Sequence, residues 1–188
     1  MMESMKNASI KTIWVILPIV LFFLFSCAST QKKKTEARDA EFYNNRGIAY
    51  DEEGQYDQAI LDYNKALEIN PRYAEAYNNR GVAYANKGQY DQAISDYNKA
   101  LEINPRFAAP YQYRGNTYMT KGLYNEAFSD YSKALEINPK IAEAYQNRGI
   151  IYMTTKGNIQ KACSDFIIAC GLGLCKSYTS AKTIGLCQ

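Results

Sequence analysis

Histidine is absent from this chain of 188 residues, so the most common general base and the most common metal ligand are missing. The sequence also lacks a serine, histidine and aspartate set and a glycine-rich phosphate loop. We therefore expect a protein that is not an enzyme, with no catalytic residue, no metal site and no cofactor.

An excess of positive charge is missing too, except in the N-terminal segment. The formal net charge is +3, yet the residues from Ala40 onward contain 16 Lys and Arg against 16 Asp and Glu. Neutralisation of phosphates supplies most of the affinity of proteins for nucleic acids. The neutral main part of the chain therefore argues against a nucleic-acid partner, and no small-molecule substrate is indicated.

Residues 1–26 have the order of a signal peptide. Two lysines precede an apolar run from Ile13 to Phe25, which Pro18 interrupts. This run is shorter than the roughly 20 apolar residues that cross a bilayer as a helix. A cleaved signal is therefore favoured, and an uncleaved anchor in the inner membrane is the alternative.

A segment of 34 residues recurs along the rest of the chain. Residues 40–73 match residues 74–107 at 27 of 34 positions, and the same frame returns at 108–141 and, less regularly, at 142–174. A fixed period of this length predicts a stack of supersecondary units in place of one conventional core. The period places one glycine in each unit: Gly47, Gly81, Gly115 and Gly149.

Each unit carries the pattern of two amphipathic helices. Between them, Lys87-Gly88 offers a glycine at a helix C-terminus, and Asn104-Pro105 stops the second helix because the residue before proline avoids the α region. No alternation of period two is sustained, so strands are not predicted. In the second unit the helical spacing is carried by Tyr77, Gly81, Tyr84, Ala93, Tyr97, Ala100 and Leu101.

These units resemble tetratricopeptide repeats, whose pattern of large residue, glycine, aromatic, alanine, aromatic, alanine and proline they meet. The fourth unit departs from it with one extra residue between Thr154 and Gly157 and without the proline. The resemblance implies an all-α fold, a right-handed α-α superhelix of about four helix-turn-helix repeats. Residues 175–188 are expected to contain a capping helix, since the last repeat would otherwise expose an apolar face.

A second resemblance concerns the end of the signal segment. Leu24-Phe25-Ser26-Cys27 is similar to the lipobox of bacterial lipoproteins, which implies that Cys27 is lipidated and becomes the first residue of the mature protein. Ala28 after it implies the outer membrane, at the periplasmic face. An ordinary secretory signal followed by a free cysteine is the alternative. Residues 27–39 would then be a lipidated N-terminus and a flexible polar tether.

Two charged columns recur in register, one on each helix of the unit. An arginine paired with an aspartate would tie the two helices together or link neighbouring units, which explains how the arginine tolerates partial burial. The alternative is an arginine ladder that binds an acidic ligand. The residues are Arg46, Arg80, Arg114 and Arg148 in one column, and Asp62, Asp96, Asp130 and Asp165 in the other.

The resemblance also implies that the first helices line a concave face on which a partner lies. The family often uses an asparagine there to hold a peptide backbone, since an amide both donates and accepts. Tyr113 interrupts that column and is expected to form a platform or pocket wall. Alternatively, these side chains are only exposed polar helix residues. The predicted groove residues are Asn44, Asn45, Asn78, Asn79, Gln112, Tyr113, Asn116, Gln146 and Asn147.

Four cysteines besides Cys27 lie near the C-terminus, and an exported protein is expected to pair them. Cys163 with Cys170 is disfavoured, because seven helical residues separate their Cα atoms by about 10.5 Å. If the C-terminal segment folds back, the natural pairs are Cys170 with Cys175 and Cys163 with Cys187. Reduced core thiols and a redox pair are the alternatives.

The sequence therefore predicts a membrane-anchored adaptor that binds a partner protein or an extended peptide in its groove. The membrane contact would be made through the lipid anchor. Two alternatives stay open: an accessory subunit of an envelope enzyme or of a secretion or pilus assembly complex, and a scaffold that associates with itself.

Overall fold

The computed structural model describes residues 31–32 and 34–187, and every regular element among them is an α-helix. The first helix, α1, covers residues 31–32 and 34–52. The helices that follow are α2 (Tyr56–Ile69), α3 (Ala74–Asn86), α4 (Tyr90–Ile103), α5 (Ala108–Thr120), α6 (Tyr124–Ile137), α7 (Ala142–Thr154), α8 (Ile159–Gly171) and α9 (Lys176–Thr183).

The helices form consecutive pairs joined by short loops: α1 with α2, α3 with α4, α5 with α6, and α7 with α8. Contacts run mainly between helices that follow each other in the chain, with a further contact between α3 and α5. The prediction of an all-α superhelix of helix-turn-helix repeats is confirmed.

Within each pair the helices approach closely because a glycine faces an aromatic ring. A Cβ atom added to Gly81 would lie 2.7 Å from Cε1 of Tyr97, closer than real Cβ contacts allow. Tyr97 is fully buried, and Ala93 and Ala100 beside it have no exposed surface. The recurring small and aromatic residues are thus the packing core of the stack.

The helix ends follow the signals in the sequence. Gly88 has a φ of +75°, and its neighbour Gln89 donates a backbone hydrogen bond of 2.9 Å to the carbonyl of Tyr84. This left-handed glycine closes α3. After α4, the side chain of Asn104 accepts a hydrogen bond of 3.2 Å from the backbone N–H of Arg106, which turns the chain toward α5.

The segment predicted to be a tether differs from that expectation where the structure describes it. Residues 31–32 and 34–39 are helical and exposed, and they continue directly into the first repeat helix. Lysine, glutamate, alanine and arginine are good helix formers, and Lys32 lies 3.8 Å from Glu36 one turn away. The predicted signal peptide at residues 1–26, and Cys27, lie outside the described residues.

No helix in the described part of the chain is both long and apolar enough to cross a membrane.

The predicted capping helix is confirmed as α9, which packs on α8. Ala181 and Cys187 are buried against Ala162 and Phe166 of α8, so this segment covers apolar residues of the last unit. The structure brings Cys163 to Cys187 with 5.5 Å between their Cα atoms. It also brings Cys170 to Cys175 with 3.9 Å between their Cα atoms, so both sulfur pairs are within bonding distance.

Candidate functional site

The residues predicted to line a groove all lie on the first helices of the units, α1, α3, α5 and α7. They are not equally accessible. Asn44 and Asn78 are buried, whereas Asn45 is exposed. The half-buried members, which keep some accessible surface, are Asn79, Gln112, Tyr113, Asn116, Gln146 and Asn147.

Asn44 and Asn78 correct the predicted groove, because the structure places both in the packing between units. Their exposed fractions are 4% and 5%. Asn79 donates from Nδ2 to Oδ1 of Asn44 over 3.1 Å, which joins α3 to α1. Asn78 in turn donates from Nδ2 to Oδ1 of Asn79 over 3.2 Å. Buried amides of this kind take part in the packing of the first two units, where they leave little surface accessible.

Tyr113 interrupts this amide ladder at the next boundary. One unit later, the hydrogen bond equivalent to that from Asn79 to Asn44 would need a donor at position 113 for Oδ1 of Asn78. Tyr113 makes no such bond, and Oδ1 of Asn78 is buried with no hydrogen-bond partner among the described residues. The Tyr113 ring stacks instead on Tyr97, with 6.4 Å between centroids and 26° between planes.

A different polar cluster joins the third and fourth units. The hydroxyl of Tyr131 donates to Oδ1 of Asn116 over 2.7 Å, and Asn147 donates from Nδ2 to the same oxygen over 3.0 Å. Burial raises the pKa of Tyr131, and the hydrogen bond with Asn147 only partly opposes this, so the hydroxyl stays protonated. Two donors on one oxygen fix the orientation of the Asn116 amide.

A cavity of about 320 Å³ opens at the boundary between the second and third units, where α3, α4 and α5 meet. Tyr113 and Asn116 from the predicted set are part of its wall, and none of its lining side chains carries a charge. The lining residues are Val82, Ala85, Asn86, Tyr90, Tyr97, Tyr113, Asn116, Thr117 and Thr120. The sequence alone did not predict most of the other lining residues, because a cavity between helices depends on how the repeats pack.

The structure forms the predicted arginine and aspartate pairs, each between the two helices of one unit. In the second unit, Arg80 donates from Nε to Oδ2 of Asp96 over 2.7 Å and from Nη2 to Oδ1 over 2.8 Å. The other units repeat this fork-to-fork geometry, which gives the strongest form of charged hydrogen bond. The equivalent pairs are Arg46 with Asp62, Arg114 with Asp130, and Arg148 with Asp165.

The recurring arginine also makes a third contact, with the preceding unit. This contact was not predicted from the sequence. Arg80 donates from Nη1 to Oδ1 of Asn64 on α2 over 2.6 Å. Arg114 bonds Asn98 in the same way, and Arg148 lies 3.5 Å from Oγ of Ser132. The signal was present in the sequence, since these acceptors recur sixteen residues before each arginine.

These contacts disfavour the alternative of an arginine ladder for an acidic ligand. Burial lowers the pKa of Arg80, but the hydrogen bond and charge of Asp96 outweigh it and the pKa is raised. Asp96 is only 6% exposed, so the two charges neutralise each other inside the protein. The arginine column therefore holds helices together, and each of its guanidinium groups is paired with an aspartate of the same unit.

Comparison with protein families gives matches over most of the repeat region. A family model described as tetratricopeptide repeat matches residues 74–107, and one described as TPR repeat matches residues 49–88 and 115–155. The chain belongs to the tetratricopeptide repeat family. A comparison with curated proteins found no significant match.

Solved structures of tetratricopeptide repeat proteins are similar to this chain. The first TPR domain of Spaghetti (RPAP3), bound to the HSP90 peptide SRMEEVD, has a TM-score of 0.62 at 28% identity, over 64% of this chain and 95% of that chain. MamA has a TM-score of 0.65 at 26% identity, over 81% and 86%. PilF of Pseudomonas aeruginosa has a TM-score of 0.72 at 23% identity, over 81% and 69%, and supports the fold alone.

Tetratricopeptide repeat proteins are in general interaction modules without catalytic activity, and membership in the family supports a role in protein-protein interaction. In the residues that the structure covers, no group of three or more His, Cys, Asp or Glu side chains could hold a metal ion. The face formed by the first helices, α1, α3, α5 and α7, carries the accessible amide and tyrosine side chains.

Proposed function

We propose that this tetratricopeptide repeat protein is an adaptor that holds an extended segment of a partner protein along the face formed by α1, α3, α5 and α7. One observation carries the proposal: amide and tyrosine side chains that keep accessible surface recur in register on this face, at Asn45, Asn79, Tyr113 and Asn147. The similar Spaghetti domain was solved with a peptide bound.

Crosslinking in cells tests this face directly. A photoreactive amino acid is placed at Asn45 or Gln146 on the first helices, and in matched controls at Ser95 or Ser129, which are exposed on α4 and α6. We expect one partner to be captured from the first two positions and not from the controls. Equal capture from Ser95 and Ser129, or turnover of a substrate by the purified chain alone, would contradict the adaptor.

Self-association is a second candidate, favoured by an apolar patch on the last unit. Ile167 and Ile168 are 50% and 40% exposed, and they occupy the positions that Asn98 and Lys99 hold in the second unit. An exposed apolar pair where other units are polar is typical of an interaction surface. Light scattering at increasing concentration should show a larger species that the double variant Ile167→Asn, Ile168→Lys abolishes. A constant monomer mass would exclude it.

For the cellular location, the proposal is that Cys27 is lipidated and anchors the protein to the outer membrane, facing the periplasm. Its support is the sequence Leu24-Phe25-Ser26-Cys27, followed by Ala28. Mass spectrometry of the N-terminal peptide from fractionated membranes should find a chain that begins at an acylated Cys27. A chain that retains residues 1–26, or that begins elsewhere without lipid, would overturn the lipoprotein assignment.

The same export would oxidise the C-terminal cysteines, in the pairs Cys163 with Cys187 and Cys170 with Cys175. The support is geometric, since each pair lies within bonding distance across α8 and the segment that follows it. Intact mass with and without reductant should differ by four hydrogens, and peptide mapping should give these two linkages. An unchanged mass would mean that the thiols are reduced.

A further inference from the structure

We infer that the cavity between the second and third units accepts one uncharged aromatic or branched aliphatic side chain of the partner segment. This inference rests on the function proposed above and names the chemistry that the concave face selects. The cavity, of about 320 Å³, lies at the lower end of the size range of ligand pockets, which suits a single side chain.

The residues that line the cavity offer no cation to an acidic ligand. Arg80 and Arg114, the nearest arginines on α3 and α5, are each held by a buried aspartate of the same unit. Lys87 and Lys121, at the ends of the same two helices, form ion pairs with aspartates of the preceding unit. An anionic side chain in this cavity would therefore lose its hydration without gaining a free cation. An uncharged side chain meets no such penalty.

Tyr113 has a role that the stability of the fold does not explain. An asparagine at this position could continue the amide ladder and donate to Oδ1 of Asn78, which is buried and has no partner within the residues that the structure describes. Leaving a buried acceptor unpaired destabilises a protein. The ring instead forms, with Tyr97, an aromatic wall of the cavity, a surface that favours apolar and aromatic groups.

Asn116 supplies the polar contact that would orient the ligand. Its Oδ1 accepts from Tyr131 and Asn147, which fixes the amide plane. The amide nitrogen takes no part in these two bonds and can donate to a carbonyl of the partner backbone. The cavity thus combines an apolar wall with one oriented donor, the usual composition of a selective pocket.

The test uses the isotope-labelled full chain and three small probes, observed by NMR. N-acetyl-phenylalaninamide and N-acetyl-leucinamide carry uncharged side chains, and N-acetyl-aspartamide with a free side-chain carboxylate carries a charge. We expect saturable shifts at cavity residues of α3 and α5 with the first two probes. The charged probe should bind at least about tenfold more weakly, which corresponds to about 1.4 kcal/mol.

Three variants make the assignment specific. Tyr113→Asn should weaken the binding of the uncharged probes at least about tenfold, because it removes the aromatic wall. It should not lower the midpoint of thermal unfolding, because the asparagine restores the amide ladder. Tyr124→Asn, which removes an exposed tyrosine of α6 outside the cavity lining, should leave the binding of the probes unchanged. Thr120→Lys at the exposed rim adds a cation and should shift the preference toward the charged probe, which keeps the test independent of Tyr113.

Four results would each overturn the pocket assignment: equal binding of the charged probe, shifts outside the cavity, no saturable shift with any probe, or full binding of the uncharged probes by Tyr113→Asn. Crosslinking in cells separates this failure from failure of the adaptor. If Asn45 and Gln146 still capture their partner when Tyr113→Asn is introduced, the pocket assignment is wrong and the adaptor stands. If they capture no partner in the wild type, the adaptor itself fails.

Discussion

The glycine that faces an aromatic ring is the residue on which each helix pair depends. Gly81 lies in the middle of α3, where glycine weakens a helix by about 1 kcal/mol relative to alanine. The position nevertheless requires it, since a Cβ atom would meet the Tyr97 ring. Close packing of two helices outweighs the local helix propensity here.

Replacement of this glycine gives a first prediction. Gly81→Val should destabilise the chain by about 3 kcal/mol, because the buried Tyr97 ring cannot move aside. Gly171→Val is the matched control: no atom lies within 4 Å of its added Cβ, and the change should stay within about 0.5 kcal/mol. Urea unfolding of both variants measures the difference, and equal losses would contradict the packing argument.

Asp51 is a residue that the other units do not share, since the equivalent positions are Ala85, Met119 and Met153. Its Oδ1 is buried and has no hydrogen-bond partner in the described part of the chain. Burial raises the pKa of Asp51 above its ordinary value of 3.8, the side chain of Asn86 opposes this, and Glu52 adds to it. The folded state therefore prefers the protonated form.

Asp51→Ala should accordingly stabilise the chain at neutral pH, by about 1 kcal/mol. The sign of the pH dependence follows from the raised pKa. In the wild type the folded state binds the proton more tightly than the unfolded state, so stability falls as the pH rises through the range just above 3.8. The advantage of the variant should therefore grow over that range. An advantage that is equal or larger in acid would refute this assignment.

At the scale of the helix, the recurring arginine joins three elements at once. It forms a bidentate pair with the second helix of its own unit, and from the second unit onward it also reaches the second helix of the preceding unit. Tyrosine rings lie beside it, with Tyr77 5.4 Å from the guanidinium carbon of Arg80. The arginine is therefore a structural connector within and between repeats.

Arg80→Leu should destabilise the chain by about 3–5 kcal/mol, since it leaves the carboxylate of Asp96 buried without its counter-charge. Arg106 is the natural control, because it is exposed and forms no ion pair among the described residues. Arg106→Leu should change the stability by no more than about 0.5 kcal/mol. Thermal unfolding followed by circular dichroism compares the two, and a small loss for Arg80→Leu with an intact fold would count against the pairing.

At the scale of the whole molecule, the stack behaves as a series of nearest-neighbour contacts. Contacts run mainly between successive helices, so each unit depends on the units beside it. The hydrogen bond from Arg80 to Asn64 recurs one period later from Arg114 to Asn98. The ion pair of Lys87 with Asp57 recurs in the same way as that of Lys121 with Asp91.

Removal of one whole period should therefore be tolerated. Deletion of residues 74–107 brings Arg114 to Asn64 and Lys121 to Asp57, which restores both inter-unit bonds. We expect a folded helical protein with a lower unfolding midpoint, because one unit and its interface are lost. Deletion of residues 74–89 removes α3 alone and leaves Tyr97 of α4 without the facing Gly81, so it should lower the midpoint much further. Equal behaviour of the two deletions by circular dichroism would contradict nearest-neighbour stacking.

The repeat made the architecture predictable, since period, helix ends and packing glycines are local or periodic signals. The arginine and aspartate pairs were also predictable, because opposite charges recur in register. Accessibility could not be read in the same way. Asn44 and Asn45 are adjacent amides in sequence, yet one is buried and the other exposed, because the helix phase against the neighbouring unit separates them.

The sequence by itself thus determined the fold, the number of units and the likeness to the tetratricopeptide family, since a 34-residue period with fixed small and aromatic residues permits one way of stacking. Only the tertiary structure decided which amides are buried between units and which keep accessible surface. It also showed that Tyr113 supplies no hydrogen-bond donor to Asn78 and forms part of the wall of a cavity. Such effects depend on distances between units, which no single repeat encodes.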